Sequence, residues 1–292
     1  MPAASPAVSP AAAVEIDGLV MRYGEKVAVD GLSMTVDRHT ITAVLGPNGA
    51  GKTTTLETCE GYRRPQAGSV RVLGLDPVRD RSDLLPRIGV MLQGGGAWSG
   101  VQAMEMLDHV ARLHAHPLDT ALLAERLGLG DCGRTPYRRL SGGQQQRLGL
   151  AMALVGRPEI VFVDEPTAGM DPQARRTTWD LLRELRHDGV TVVLTTHYLE
   201  EAEHLADQVH IIDRGRLIAS GTPEELTRGS SATVRLVVDQ ELPVDAEAAL
   251  RTSVDRWSAE QGVGVRSISF GSRTLEDVFL ELTGREMDDD DE

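Results

Sequence analysis

The most restrictive feature of this sequence is a glycine-rich segment at residues 46–53, which reads G-P-N-G-A-G-K-T and has the form G-x-x-x-x-G-K-T. It lies between an apolar run at residues 41–45 and a helix-compatible run at residues 54–60. Glycines let the backbone turn until several N–H groups point into one concavity, and the following helix adds its positive end. Lys52 can then reach nucleotide phosphates and Thr53 can offer a hydroxyl to Mg²⁺. The segment predicts a phosphate-binding loop between a strand and a helix.

An ordinary glycine turn is the alternative interpretation of this segment. The chain has 30 glycines in 292 residues, but its only lysines are Lys26 and Lys52. Composition alone therefore rarely produces the full pattern, and we prefer the phosphate-binding interpretation.

The apolar runs elsewhere predict an α/β fold. Short runs rich in Val, Ile and Leu occur at residues 88–92, 160–163, 190–195 and 209–212, separated by segments with helical spacing. Such alternation is typical of a mainly parallel sheet covered by helices. Before the glycine-rich segment, residues 14–20 and 27–36 are rich in β-branched and apolar residues and flank a turn, which predicts an antiparallel start.

Residues 94–156 interrupt this alternation. Helical spacing at residues 101–114 and 118–129, without a strand candidate between them, predicts an all-helical insertion. His109, His114 and His116 could suggest a metal site here. We favour histidines without a metal-binding role, because no carboxylate or cysteine completes a ligand set and Pro117 ends the helix.

Charge and cysteine content exclude several classes of protein. Lys and Arg total 30 against 44 Asp and Glu, a net charge of −14, which argues against a nucleic acid backbone as the main partner. Cys59 and Cys132 are far apart and lack metal-ligand spacing, so we expect a reduced, cytosolic setting. No apolar run approaches the roughly 18 residues of a membrane helix.

A second anion-binding turn is predicted by Leu140-Ser141-Gly142-Gly143-Gln144, which precedes a helical apolar run. Ser141 can cap that helix while the two glycines expose backbone N–H groups. A capped helix with no further role is the alternative. A single phosphate-binding site, however, does not need two glycine-rich turns that each bind an anion.

Two carboxylates end the apolar strand at residues 160–163. Asp164 would lie at the carboxyl edge of the sheet, where Mg²⁺ and nucleotide bind in open α/β folds. Glu165 is placed to accept a proton from an attacking water. A helix cap or a solvated acidic pair is the alternative.

Four further residues are candidates for the same site. Asp171 is a suitable N-cap before Pro172. His197 follows a central strand and could contact a γ-phosphate, although a lone histidine is more often structural. Gln93, at the end of another strand, could hold the metal or the nucleophilic water. Tyr23 could stack on a purine base or be a half-buried surface residue.

Taken together and in this order, these motifs resemble the nucleotide-binding subunit of an ATP-binding cassette (ABC) transporter over about residues 14–226. The elements that carry the resemblance are the aromatic Tyr23, the Walker A loop from Gly46 to Thr53, the Q-loop Gln93, the signature from Leu140 to Gln144, the Walker B Asp164 with Glu165, the D-loop Asp171 and the switch His197.

The resemblance implies an α/β P-loop NTPase core with an antiparallel β subdomain and an all-helical subdomain. It also implies a head-to-tail dimer with ATP between the Walker A loop of one protomer and the signature of the other. A homodimer is expected, because one chain carries every element that two sites need, and a mixed pair is the alternative. Thr53, Gln93 and Asp164 would serve Mg²⁺, while Glu165, His197, Lys52 and Gln93 would act in catalysis. The expected nucleotide contacts are Tyr23, Gly46, Pro47, Asn48, Gly49, Ala50, Gly51, Lys52, Thr53, Thr54, Gln93, Ser141, Gly142, Gly143, Gln144, Asp171 and His197.

The C-terminal part resembles ATPase subunits of ABC-2 type drug and antibiotic exporters through the run Leu275-Glu276-Asp277-Val278-Phe279-Leu280. A plain packing helix is the alternative for this run. We expect a leader at residues 1–13, a nucleotide-binding domain at 14–228 with its helical part at about 94–156, a small α+β unit at 229–286 and an acidic tail at 287–292. In the small unit, residues 232–238 and 263–270 are predicted strands and residues 246–259 a predicted helix. The leader is expected to be disordered.

The family implies an ATPase on the inner face of the cell membrane that drives a separate ABC-2 type permease, with no nucleic acid partner. A soluble family member acting as a nucleotide-dependent switch on ribosomes or DNA is the alternative. One complete cassette, no zinc-type cysteine cluster and the negative charge favour the transporter subunit.

Overall fold

The computed structural model describes residues 12–92 and 96–227, together with helical residues 252–254, 256–258, 260, 278, 279 and 282. In this part of the chain, two β-sheets and the helices around them form the fold. Residues 1–11 of the predicted leader, the acidic tail, most of the predicted C-terminal unit and Gln93 lie outside the described residues. Residues 12 and 13 begin the first strand and Ala13 is buried, so the prediction of a disordered leader up to residue 13 is wrong at these two positions.

The first sheet has three antiparallel strands in the order β2-β1-β4. They are β1 (Ala12–Tyr23), β2 (Lys26–Asp37) and β4 (Ala67–Val72). Gly24 has a φ of 59°, a left-handed conformation that glycine adopts readily, so the hairpin turns between Tyr23 and Lys26. The predicted hairpin is confirmed and extends beyond its predicted ends; β4 is an additional strand.

The second sheet has six strands in the order β5-β6-β7-β3-β8-β9. The predicted five apolar runs form its parallel part, whose members are β3 (Ile41–Leu45), β5 (Ile88–Met91), β6 (Ile160–Asp164), β7 (Thr191–Thr196) and β8 (Gln208–Asp213). The edge strand β9 (Arg216–Gly221) is antiparallel to β8. Every residue of β3, β6 and β7 is buried, because helices or the first sheet cover both faces.

The helices of this part of the chain lie between these strands or follow the last of them. They are α1 (Lys52–Cys59), α2 (Arg81–Leu84), α3 (Ala103–Ala111), α4 (Thr120–Arg126), α5 (Gly142–Leu154), α6 (Pro172–His187), α7 (Leu199–Leu205) and α8 (Pro223–Thr227). As parallel strands run in one direction, the ends of β3, β6 and β7 bring their following loops to one edge of the sheet.

The predicted helical insertion contains α3, α4 and α5 and, within its described residues, no extended strand. Both α3 and α4 are shorter than the periodicity suggested. Asp119 accepts hydrogen bonds from the amides of Ala121 and Leu122 and thereby starts α4, while Gly128, with a φ of 62°, follows its end.

Part of the C-terminal segment contributes to the core. Val278 and Phe279 are helical and only 4% and 1% exposed, within the buried cluster that also contains residues of α7 and β8. The predicted helix at residues 246–259 is partly described, since residues 252–254 and 256–258 are helical. The strands predicted at residues 232–238 and 263–270 lie outside the described residues. Among the helices in the described part of the chain, none has the length and apolar character needed to cross a bilayer.

Candidate functional site

The loop between β3 and α1 is shaped by glycines that no other residue could replace without strain. Gly51 has a φ of 104°, and a Cβ atom there would lie 2.5 Å from the carbonyl oxygen of Ala28. A Cβ atom at Gly46 would lie 2.3 Å from the carbonyl oxygen of Ile212. The loop therefore approaches neighbouring backbone closely and exposes its amides at the N-terminus of α1, which suits an anion.

Lys52 is the first residue of α1 and is only 6% exposed. Its ammonium donates hydrogen bonds to the carbonyl oxygens of Gly46 at 2.6 Å and Pro47 at 3.2 Å. Burial lowers the pKa of Lys52, while the nearby carboxylates of Glu165 and Asp164 act in the opposite direction. A cation held inside the glycine-rich loop can stabilise phosphate charge.

Asp164 links the loop to the end of β6. One of its oxygens accepts a 3.0 Å hydrogen bond from the hydroxyl of Thr53, and the other accepts a hydrogen bond from the hydroxyl of Thr195 on β7. Asp164 is 6% exposed, and burial raises its pKa even though both hydroxyls favour the ionised form. A hydroxyl and a carboxylate in contact are oxygen ligands of the kind that Mg²⁺ prefers.

Glu165 has an unusual backbone conformation, with a φ of 51°. Its amide donates to the carbonyl and hydroxyl oxygens of Thr195, at 3.1 and 3.3 Å, so β7 holds this left-handed residue in place. Its carboxylate lies 3.1 Å from Nδ1 of His197, which follows β7. The sheet edge therefore brings the two predicted catalytic side chains into hydrogen-bond contact.

A cavity of about 320 Å³ lies on the glycine-rich loop. Its described lining consists of Tyr23, Lys26, Ala28, Pro47, Asn48, Gly49, Ala50, Gly51, Lys52, Thr53, Thr54 and Glu165. Tyr23 is 42% exposed, and the guanidinium of Arg63 lies over its ring, 5.4 Å from the centroid. An aromatic ring, a cation and loop amides around one cavity match the parts of a nucleotide.

The signature segment begins α5, as predicted. Ser141 accepts a hydrogen bond from the amide of Gln144 at 3.3 Å, and the side chain of Gln144 accepts one from the amide of Ser141 at 2.9 Å. This reciprocal pair is a capping box. A Cβ atom added to Gly143 would lie 3.4 Å from Cγ of Met170, so the loop before α6 packs on this turn. A side chain on Gly142 would meet open space, which leaves the turn accessible.

Several predicted nucleotide contacts do not line the cavity of this one chain. Gly46 contributes only its carbonyl oxygen, which accepts a hydrogen bond from the ammonium of Lys52. Asp171 caps α6 by accepting hydrogen bonds from the amides of Gln173 and Ala174, as its N-cap prediction required. Of the described candidates, the residues away from the lining are Gly46, Ser141, Gly142, Gly143, Gln144, Asp171 and His197. The role predicted for Gln93 concerns a residue outside the described part.

Sequence reasoning missed four residues of this site. Lys26 and Ala28 line the cavity from β2, Arg63 lies against Tyr23, and Thr195 binds both Asp164 and Glu165. Thr195 on β7 pairs directly with Asp164 on β6. Both strands were predicted, but their order in the sheet was not, and only that order would have identified Thr195.

Comparisons with known proteins agree with this geometry. The family model described as "ABC transporter" matches residues 29–168. The chain is 39% identical to the daunorubicin resistance ATP-binding protein DrrA3 of Streptomyces coeruleorubidus, over 93% of this chain and 96% of the relative. It is 36% identical to the Nod factor export ATP-binding protein I of Ralstonia nicotianae, over 97% of this chain and 98% of the relative.

A solved structure supports the fold. The ATP-binding cassette MJ0796 in its dimeric, post-hydrolysis state with ADP and Pi matches with a TM-score of 0.66 at 23% identity, covering 72% of this chain and 98% of that one. The full-length sequence similarity to ATP-binding subunits and the phosphate-loop cavity lead to the same conclusion: this chain belongs to the ABC transporter family, as one of its ATP-hydrolysing, ATP-binding subunits.

Proposed function

We propose that this chain hydrolyses ATP at the interface of two copies and thereby drives export of a small molecule through a separate ABC-2 type permease. The contact between Glu165 and His197 beside the phosphate-loop cavity is the observation that supports this proposal most strongly. This contact places a proton acceptor, Glu165, next to a polar side chain that can bind phosphate, His197. Both lie at the edge of the sheet that carries the glycine-rich loop.

The nucleotide would occupy the cavity with its phosphates on the loop. Backbone amides of the loop from Asn48 onward and of the first turn of α1, together with the ammonium of Lys52, would bind phosphate oxygens, in keeping with the anion-binding character of a helix N-terminus. Tyr23 would stack on the adenine, because its ring is exposed at the rim of the same cavity.

The residues present fit a magnesium ion. Thr53 and Asp164 already bring a hydroxyl and a carboxylate oxygen within 3.0 Å of each other, and we assign them as ligands together with Gln93. Bound Mg²⁺ would supply charge that neutralises the phosphate oxygens during transfer.

Phosphoryl transfer from ATP to water depends mainly on positioning the reactants and stabilising charge. Glu165 would accept a proton from the attacking water, and His197 would contact the γ-phosphate while orienting the Glu165 carboxylate. The left-handed backbone of Glu165 is held by Thr195, so the fold itself fixes the position of the base.

The second copy would complete the site from the opposite side. Ser141, Gly142, Gly143 and Gln144 form a capped helix start suited to an anion, yet they lie away from the cavity of their own chain. A head-to-tail pair would bring them onto the phosphates held by the partner's loop, with Asp171 at the same interface.

Mixing two inactive variants tests this arrangement. Lys52→Ala disables the loop and Ser141→Arg disables the signature, so neither alone should hydrolyse ATP. In a head-to-tail pair of one Lys52→Ala and one Ser141→Arg copy, one site combines the altered loop with the altered signature. The other site combines the two unaltered segments and is intact. The mixture is therefore expected to recover ATPase activity. A mixture as inactive as its components would contradict the shared site.

The export role rests on the relatives, whose names describe drug resistance and Nod factor export. We place the chain on the inner, cytoplasmic face of the membrane, bound to its permease. Purification from detergent extracts should yield a membrane polypeptide whose reconstitution with this subunit gives ATP-driven efflux. Recovery of ribosomes or DNA instead would favour the switch function.

A further inference from the structure

A buried carboxylate outside the predicted site connects two of its segments. Glu201 on α7 is 0% exposed, and burial raises the pKa of its carboxyl group. Its Oε1 accepts hydrogen bonds from the hydroxyl of Thr167 at 2.9 Å and from Nε1 of Trp179 at 3.1 Å. Thr196, at the end of β7, also acts on this carboxyl group and favours its ionised form. If Glu201 only filled space in the core, an apolar side chain would serve, because burying a carboxylate is costly unless it is hydrogen-bonded.

Thr167 and Thr196 belong to the segments that carry the reacting side chains. Thr167 lies in the loop between β6 and α6, two residues after Glu165, and Thr196 ends β7 immediately before His197. The same loop reaches the signature turn, where Met170 packs on Gly143. Glu201 therefore joins the base, the histidine and the turn proposed to face the second copy.

A second series of contacts also connects His197 with α6. The ring of Tyr198 lies 4.0 Å from that of His197, and the guanidinium of Arg175, on α6, lies over the Tyr198 ring at 4.9 Å. Arg175 acts electrostatically on Glu201, where it favours the ionised form. Within the described residues, Nε of Arg175 and Oε2 of Glu201 are both buried and have no hydrogen-bond partner. Unpaired buried groups of opposite charge leave room for rearrangement at this junction.

We infer that Glu201 is a positioning residue that fixes the loop at residues 165–171 relative to His197, so that contact between His197 and nucleotide sets the surface offered to the second copy. This inference rests on the proposed head-to-tail pairing. Glu201 is fully buried and does not line the cavity, so it acts through other residues. Its carboxyl group binds Thr167, and its amide donates a 3.1 Å hydrogen bond to the carbonyl oxygen of Tyr198, the residue after His197.

Two donors to the same oxygen provide a matched test. Thr167→Val removes the bond from the loop and retains the side-chain shape, whereas Trp179→Phe removes the bond from the body of α6 and retains an aromatic ring. Both variants are expected to lower the urea midpoint of unfolding to a similar extent. Thr167→Ser keeps the hydroxyl and should behave like the wild-type chain.

Only the loop variant should affect the reaction. We expect Thr167→Val to lower kcat at least about tenfold with KM for ATP within about twofold, because small displacements of catalytic groups reduce rate more than binding. In a Glu165→Gln background it should also weaken ATP-dependent dimerisation, measured by light scattering. Trp179→Phe should change neither quantity.

Equal effects of Thr167→Val and Trp179→Phe on kcat, including no effect of either, would overturn the inference and assign Glu201 a structural role. If the valine variant does not fold, Thr167→Ala removes the same hydroxyl and the same comparison applies. Failure of the proposed pairing is distinguishable, because then the mixture of Lys52→Ala and Ser141→Arg chains would remain inactive whatever the Thr167 variants do.

Discussion

The hydroxyl of Thr53 donates a 3.0 Å hydrogen bond to Oδ2 of Asp164, although the two residues are 111 positions apart in the chain. The bond joins the first turn of α1 to the end of β6, and it orients the Asp164 carboxylate from the loop side while Thr195 binds the other oxygen. Two elements that are distant in sequence thus present adjacent oxygen ligands.

Replacing Thr53 should therefore affect the metal requirement. We expect Thr53→Val to raise the Mg²⁺ concentration for half-maximal ATPase activity about tenfold, the change produced by losing a metal ligand or its supporting group. Thr53→Ser should restore the normal value. Thr55→Val is the matched control, because the Thr55 hydroxyl binds the carbonyl oxygen of Gly51, the N-cap residue of the same helix. The same Mg²⁺ dependence in the Thr53 and Thr55 valine variants would argue against metal ligation by Thr53.

Replacing the proposed base should separate binding from hydrolysis. We expect Glu165→Gln to lower kcat at least about 100-fold, the lower range for a general base, while ATP still binds. The variant should then accumulate as an ATP-bound dimer, which light scattering with ATP and Mg²⁺ can detect. Glu200→Gln, at an exposed position of α7, is the control. A Glu165→Gln chain that stays monomeric with ATP would contradict the proposed mechanism.

The sequence was sufficient to predict features that depend on local chemistry. Continuous apolar runs predicted the five parallel strands, since a strand buried on both faces needs no polar alternation. Ser141 and Asp171 were predicted as helix caps because each has the side-chain acceptor that the first amides of a helix require.

Features fixed by tertiary contacts could not be predicted in this way. The strand β4 has three exposed residues at its start and is defined by pairing with β1, far away in sequence. Glu201 lies in the acidic segment L-E-E-A-E-H-L, where nothing local distinguishes it from the exposed Glu200. Only the packing of α7 against α6 and β7 buries one of these carboxylates and leaves the other in solvent.

Removing the Tyr23 ring should weaken nucleotide binding with little effect on turnover. Stacking of a base on an aromatic ring contributes about 1–3 kcal/mol, so we expect Tyr23→Ala to raise KM for ATP about tenfold with kcat nearly unchanged. Tyr23→Trp should retain the wild-type KM. Tyr62→Ala is a close control, because Tyr62 is also exposed and also carries a guanidinium over its ring, that of Arg81, but lies outside the cavity lining. A KM that is equal in the two alanine variants would exclude base stacking on Tyr23.

His210 provides a test of how pH affects stability. It lies on β8, is 4% exposed, and its Nε2 donates a 2.9 Å hydrogen bond to the carbonyl oxygen of Thr35 on β2. In the described part of the chain, its Nδ1 has no hydrogen-bond partner. Burial lowers the pKa of His210, and the bond to Thr35 only partly opposes that shift. The folded protein therefore holds this imidazole in its neutral form.

Because the folded pKa lies below the unfolded one, the unfolded chain binds a proton more readily than the folded chain does as the pH falls. The stabilising contribution of His210 is complete above its unfolded pKa of about 6.5 and decreases below it, by at most about 1.4 kcal/mol per pH unit. Urea denaturation at about pH 7.5 and 5.5 should thus show a larger loss of unfolding free energy for the wild-type chain than for His210→Gln, whose amide can still donate to Thr35. His204→Gln, at an exposed position, should keep the wild-type pH dependence. If His210→Gln and the wild type lost the same free energy between these pH values, protonation of His210 would have no part in the acid sensitivity of the fold.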